Sequence, residues 1–405
     1  MRIRSVTLGT DVSYPLYLDG FSELESFQER ARSLFGEAGL EVQTVRLATQ
    51  PFPEILASEG PAAAPSLAQT LETACHEHGI DYCSIGPVMA AAPDSDLSFI
   101  DAIPDVIRAT EVAFASVLVS EQGAGINLDA ISRCADIVAG IAHSTPNGFG
   151  NLRLAVLANC GPGSPFFPVS YHQGGPTRFA VATEAADLAV EAFEGARDLE
   201  EAHERLRDAI EGHAGRIERV AQALEEAFGF DFGGIDFSLA PFPETERSIG
   251  HAIEALGVDA FGTSGTLFAV AFVKRAIEAA RFERCGFSGV MLPVLEDRTM
   301  AERTVDGTYG LDSLLLYSTV CGTGLDTIPL PGDVAVEELG AILLDVATLS
   351  LVAEKPLTAR LMPIPGLKAG ELTEFEFEYF ANGCVMGTRG MGASGIFERG
   401  GFWRL

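Results

Sequence analysis

Residues able to do chemistry gather in a few short stretches. In "VCGTGLDTIPLPGD" (320–333) Cys321 opens a glycine-rich turn that also carries Gly322, Gly324, Asp326 and Asp333. A thiol beside exposed backbone N–H groups has its thiolate stabilised and can act as a nucleophile. The plain alternative is a small apolar residue at a bend, because most free cysteines are buried and inert. The glycines match neither G-x-G-x-x-G nor a Walker A loop, so they read as permitting close backbone approach rather than cradling a phosphate. "SYHQGGPTRF" (170–179) puts His172 in a turn before a strand, a suitable place for proton transfer. A histidine bonded structurally to a nearby carbonyl is the competing reading.

"GVMLPVLEDRTM" (289–300) runs a strand candidate straight into Glu296 and Asp297. Paired carboxylates there can hold a divalent cation, position a substrate or act as a base. They can equally open a helix, whose first turn favours negative charge. "IDFSLAP" (235–241) likewise ends a strand near Asp236 and Ser238, and "GAGINLDA" (123–130) offers Asn127 as a helix cap. "ACHEHG" looks metal-binding, but at about 3.6 residues per turn His76 and His78 lie roughly 200° apart on a helix and cannot chelate one ion.

Such residues need elements to position them. Strand candidates at 2–10, 41–48, 80–86, 113–120, 153–160, 177–184, 235–241, 289–294, 359–365 and 375–380 alternate with helical stretches at 21–38, 66–79, 127–145, 185–228, 265–281 and 335–353. Ser22 followed by Glu25 has capping-box spacing for the first helix. Alternation of this kind gives a mostly parallel α/β sheet. About ten strand candidates are too many for a simple open sheet, so closure into one large barrel is expected, with the site at the strand C-termini. No linker divides residues 1–405, which read as a single domain.

Composition narrows the function. The 405 residues carry a formal net charge of −30, which repels phosphodiester backbones and anionic membranes, so neither nucleic acid nor membrane is an expected partner. Seven cysteines without a C-x-x-C pair are neither a disulfide framework nor a zinc knuckle, and suit the reduced thiols of a cytoplasm. No run of 18 or more apolar residues is present, and the first residues lack a secretory apolar stretch.

Six motifs in order, "GINLDAI", "RLAVLANC…SPFFPVSYHQG", "IDFSLAPFP", "FGTSGT", "GFSGVMLPVLEDRTM" and "VCGTGLDTIPLPGD", resemble the family called domain of unknown function 711, or uncharacterised protein family 0210. The resemblance spans roughly residues 70–365 and implies a fold similar to pyruvate formate-lyase: a ten-stranded α/β barrel around a central loop. The matching positions are Asn127, Asn159, His172, Asp236, Glu296, Asp297, Cys321, Asp326 and Asp333, and no catalytic roles come with them. The chain departs from the family in its length, in both end regions, and at Gly322, where the family has serine. Its "FERGGFWRL" also lacks the spacing of a glycyl-radical motif.

The reading that follows is a cytoplasmic, non-radical enzyme that acts on a small polar metabolite by acid–base or thiol chemistry, as a lyase, isomerase or hydrolase. Cys321, His172, Glu296 and Asp297 are the expected catalytic groups. Asn127, Asn159, Asp236, Ser238, Gly322, Gly324 and Asp326 are expected to hold substrate. One alternative is a divalent-metal hydrolase using Asp236, Glu296, Asp326 or Asp333; another is a non-catalytic sensor with the same cavity. Apolar helices such as 335–353 suit either the core or the face of a homo-oligomer.

Overall fold

The computed structural model describes residues 1–17, 20–390 and 392–404. Eleven strands form one sheet: β1 (Arg2–Gly9), β2 (Val42–Ala48), β3 (Tyr82–Val88), β4 (Ala113–Glu121), β5 (Gly125–Asn127), β6 (Leu154–Ala158), β7 (Arg178–Glu184), β8 (Asp231–Ala240), β9 (Gly324–Pro331), β10 (Leu357–Ile364) and β11 (Phe402–Trp403). The path runs β8-β7-β1-β2-β3-β4-β6-β10-β9, with β5 and β11 appended beyond β4. Strands β1, β2, β3, β4 and β6 are mutually parallel, as are the pairs β7–β8 and β9–β10. Antiparallel seams occur at β1/β7 and β6/β10. The architecture is therefore mixed α/β.

Among the described residues no ladder joins the edge strands β8 and β9, so hydrogen bonding leaves the sheet open. The segment 284–294 passes between them instead. It makes isolated bridges from Arg284 to Ile235 and from Pro293 to Asp326. Leu239 N–H reaches Gly289 O at 3.1 Å, and Gly322 N–H reaches Val290 O at 3.0 Å. The sequence predicts a regular strand at 289–294, but Ser288 adopts φ 40°, Pro293 lacks an N–H, and Gly289 packs against Gly322. Such residues interrupt a ladder.

Two other expectations differ. "FEFEYF" is irregular chain, and β9 lies where the sequence suggests a turn. Pro329 and Pro331 are tolerated there because β9 is an edge of the ladder. The first helix begins at Phe21 with Gly20 as cap, so Ser22 lies inside it and caps nothing. The helical run 185–228 breaks into Ala186–Glu194 and Leu199–Phe228, the second started by Asp198 accepting from Glu201 N–H at 2.9 Å.

Strands that are apolar along their whole length need cover on both faces. Helices cover the outside, and the loop 160–172 fills the inside. Ser5 and Thr7 hydroxyls donate to Pro165 O at 3.0 and 2.8 Å, Ser84 donates to Ser170 O at 3.0 Å, and His172 N–H reaches Thr49 O at 2.9 Å. Phe166 packs with Ala182, Ala240 and Met291, and Phe167 with Ala48 and Phe114. No helix among the described residues is long and apolar enough to cross a membrane.

Candidate active site

A cavity of about 330 Å³ lies inside one end of the sheet. Its walls come from the N-terminal ends of β1 to β4 and β6, from the C-terminal end of β8, and from residues of β9 and β10. Phe166 to Val169 of the inner loop form its floor, and Phe377 and Tyr379 complete the wall. The sequence places the site at strand C-termini alone. The cavity also takes in strand N-termini, because the two antiparallel seams set the N-termini of one set of strands beside the C-termini of the other.

The polar part of the wall is a chain of paired charges. Glu296 accepts from Arg360 through one oxygen at 2.7 Å and from Arg4 through the other at 2.6 Å. Arg360 also donates through Nε to Asp326 Oδ1. Arg4 continues to Glu184 at 3.3 Å, and Glu184 is paired with Arg247. Burial raises the proton affinity of Glu296, but Arg360 and Arg4 outweigh it and hold the carboxyl below its ordinary value. For Asp326 burial wins over Arg360, with Glu296 adding to the upward shift. Asp326 Oδ2 has no hydrogen-bond partner among the described residues, although Oδ1 is taken. The site thus holds one fixed, ionised carboxylate and one carboxyl with a free oxygen and a raised pKa.

The expected catalytic groups separate in space. Glu296 and Asp326 line the cavity; Cys321, His172 and Asp297 do not. Cys321 is fully buried at the edge of a different, open hollow of about 410 Å³ that it shares with Cys285 and Lys355. There the Lys355 ammonium donates to the carbonyls of Ser318, at 2.8 Å, and of Cys321. His172 sits by a small void near Gly9, with Asp11 3.7 Å from Nε2 and burial pushing its pKa down.

Asp297 caps the helix Arg298–Asp306 through Met300 N–H at 2.9 Å. It also accepts from Ser248 at 2.7 Å and Ile249 N–H at 2.6 Å, which fixes the start of a second helix. Both of its oxygens are thus taken by structural donors. The other substrate candidates are also occupied. Asn127 caps the helix Leu128–Ser144 and donates to Ala90 O at 2.8 Å. Asn159 bonds Gln122 N–H at 2.6 Å and the Ser350 hydroxyl at 3.0 Å. Asp236 receives Ser238, Phe287 N–H and Ser288 N–H at 2.6 to 2.8 Å. Gly322 has no room for a Cβ, which would come within 2.9 Å of Gly289 Cα, and Gly324 needs its φ of +98° beside Thr358.

Sequence reasoning misses Arg4, Arg46, Arg360, Tyr82 and Tyr379. A signal exists for two of the arginines: Arg46 and Arg360 are the sole charged residues of the strands "VQTVRLA" and "LTARLMPI". A charge on a strand buried from both sides must have partners or a ligand.

A divalent metal fits this wall poorly. Both oxygens of Glu296 are taken by guanidinium groups, which would have to leave before a cation could bind. Among the described residues no group of three or more His, Cys, Asp or Glu side chains is arranged to hold one.

The family model "Uncharacterised ACR (DUF711)" matches residues 1–378. A UPF0210 protein of Methanopyrus kandleri is 31% identical over 403 residues, covering 92% of this chain and 88% of the relative. A UPF0210 protein of Pyrobaculum aerophilum is 32% identical, covering 86% of this chain and 79% of its own. One from Listeria innocua is 29% identical, covering 98% and 93%. With a match this long and relatives this complete, the chain belongs to the DUF711, or UPF0210, family.

Proposed function

We propose that this protein is a cytoplasmic, non-radical enzyme that converts a small polar metabolite in the 330 Å³ cavity by acid–base chemistry, with Asp326 as the proton carrier. The observation that carries the reading is the unequal use of the two Asp326 oxygens. Arg360 grips Oδ1 and fixes the side chain, while Oδ2, in the cavity wall, has no partner among the described residues. A general base needs an available lone pair, a fixed direction and a pKa moved towards the working pH. Burial moves the Asp326 pKa that way. Glu296 takes a positioning role, holding Arg360 against Asp326 and Arg4 against the substrate side.

This assigns the proton to Asp326 in place of His172 and removes the thiol from the reaction. Lyase, isomerase and hydrolase steps all need such a base, and the chemistry is read no more finely than that. The reading extends to the fold. Segment 284–294 serves as a tenth stave between β8 and β9, giving two parallel five-membered halves of the pyruvate formate-lyase kind around the inner loop. Seven cysteines free of disulfides support a reducing compartment.

The test is to incubate the protein with a small-molecule cell extract and follow it by mass spectrometry. Wild type is expected to consume at least one compound, and Asp326→Asn to do so about 10²–10⁴-fold more slowly. Equal consumption by the variant, or none by wild type, overturns the reading. In the second case tight, unreacted binding identifies a sensor.

A further inference from the structure

Arg46 differs from the other arginines of the cavity. It rises from β2 with only 8% of its surface exposed. Its Nε donates to Thr44 at 2.9 Å, and its guanidinium lies 5.5 Å from the Tyr82 ring centre and 5.3 Å from that of Phe167. Neither terminal nitrogen makes a hydrogen bond among the described residues, and no carboxylate is paired with it. Arg4 and Arg360 are each paired with carboxylates, and Arg153 spends its nitrogens on Thr110 and on the carbonyls of Ala113 and Ile107. A guanidinium with two unused donor nitrogens, nine-tenths buried and facing a cavity, is available to pair with an anion that enters it.

The charge balance of the lining agrees. Four arginines (4, 46, 153 and 360) face three carboxylates (Glu111, Glu296 and Asp326), which leaves one positive charge. Burial and the nearby Arg4 push the Arg46 pKa down to about 10, so the group still carries its charge at neutral pH. One unit of excess charge suits a monoanion better than a dianion. The remaining wall is largely aromatic, with Phe114, Phe149, Phe167 and Phe377 among its members. Planar donors in a fixed fork match a carboxylate, and flat walls favour a planar body.

We propose that the metabolite is a planar monocarboxylate, its carboxylate held by the fork of Arg46 between Tyr82 and Phe167, and its body lying against the phenylalanine walls. This inference rests on the proposed enzymatic reading of the same cavity and names its substrate class. Arg46 binds and orients. The carboxylate it takes is not the reacting bond, and the proton transfer stays with Asp326.

The test uses benzoate and cinnamate as probes, with benzamide and phenyl phosphate as controls, by calorimetry on the full chain. Wild type is expected to bind at least one of the two acids, with benzamide about 10- to 100-fold weaker, as befits loss of a charge-assisted bidentate pair. Phenyl phosphate is expected to bind more weakly than the acids. Arg46→Gln is expected to lose the preference for acid over amide, and Arg46→Lys to keep part of it. The wild-type acid-to-amide ratio needs no variant, so it stands even where Arg46→Gln fails to fold. Absence of acid binding at 20 mM, equal binding of benzoate and benzamide, or a preference for phenyl phosphate overturns the proposal. Asp326→Asn separates the two ideas. It is expected to keep acid binding while losing turnover, so a failed anchor and a failed proton carrier give different results.

Discussion

Cys321 and Asp326 lie five residues apart in one motif, yet they face different surroundings. The thiol is packed shut beside the open hollow, where Lys355 holds the backbone carbonyl of Cys321. The carboxyl opens on a cavity and keeps one oxygen free. The nearby buried carboxylates differ in the same way. Asp236, which contacts Phe287 and Ser288 beside the hollow, is held by hydroxyl and N–H donors and has no cation partner among the described residues. Glu296, at the cavity, is held by two guanidinium groups. Reactive residue type is thus a weaker guide to chemistry than what remains unpaired after folding. At the hollow end hydrogen bonds are made for the backbone; at the cavity end charges converge and leave vacant valences.

The largest stability contrast between the two ends should come from removing their cations. Arg360→Met strands Asp326 in a buried wall and leaves Glu296 with Arg4 alone, and breaking such a buried pair costs about 3–5 kcal/mol. Lys355→Met removes only hydrogen bonds to carbonyls, and about 1–2 kcal/mol is expected. Urea unfolding of both variants measures the difference; equal losses would erase the distinction between the ends.

A second contrast is in the sign of pH dependence. Burial pushes Asp236 up from 3.8 to about 6, against the pull of its three donors. The native state therefore binds the proton more tightly, and this group's contribution is full below 3.8 and lost as pH climbs through about 6. That is on the order of 3 kcal/mol at about 1.4 kcal/mol per unit. Glu296 has the opposite sign. Its folded pKa lies below 4.5, so its contribution is present above that value and lost on acidification. Comparing wild type with Asp236→Asn between pH 4 and 7 should show the variant lacking the downward slope. Parallel curves would contradict the assignment.

The smallest expected effect concerns the thiol itself. Cys321 is fully buried, whereas Cys285 and Cys384 are partly exposed. Iodoacetamide should label Cys321 about 10-fold or more slowly than those two in the native protein, because thiol reactivity requires access. Faster labelling of Cys321 would return it to the list of nucleophiles.

Much of this was legible in the sequence and some was not. The strands within "AFASVLVS" and "RLAVLANC" announce themselves as largely apolar runs, as strands covered on both faces should be. β9 hides because Gly324, Pro329 and Pro331 carry turn signals that only an edge position permits. The capping role of Asp297 was one of two readings of "LEDRT", and nothing local separates a cap from a base. Deciding between them needs Ser248 and Ile249, almost fifty residues away. Arg46 and Arg360 stand out as lone charges inside their strands, but their meaning depends on antiparallel seams between β1 and β7 and between β6 and β10 that no local pattern encodes.

The central claim is that proton transfer resides at Asp326 and not at Cys321. It is tested most directly by measuring turnover of the same consumed compound by Asp326→Asn and Cys321→Ser side by side. The account predicts a loss of about 10²–10⁴-fold for the first and a change within about threefold for the second, as for a residue outside the reacting site. A large loss in Cys321→Ser with Asp326→Asn near wild type would contradict it.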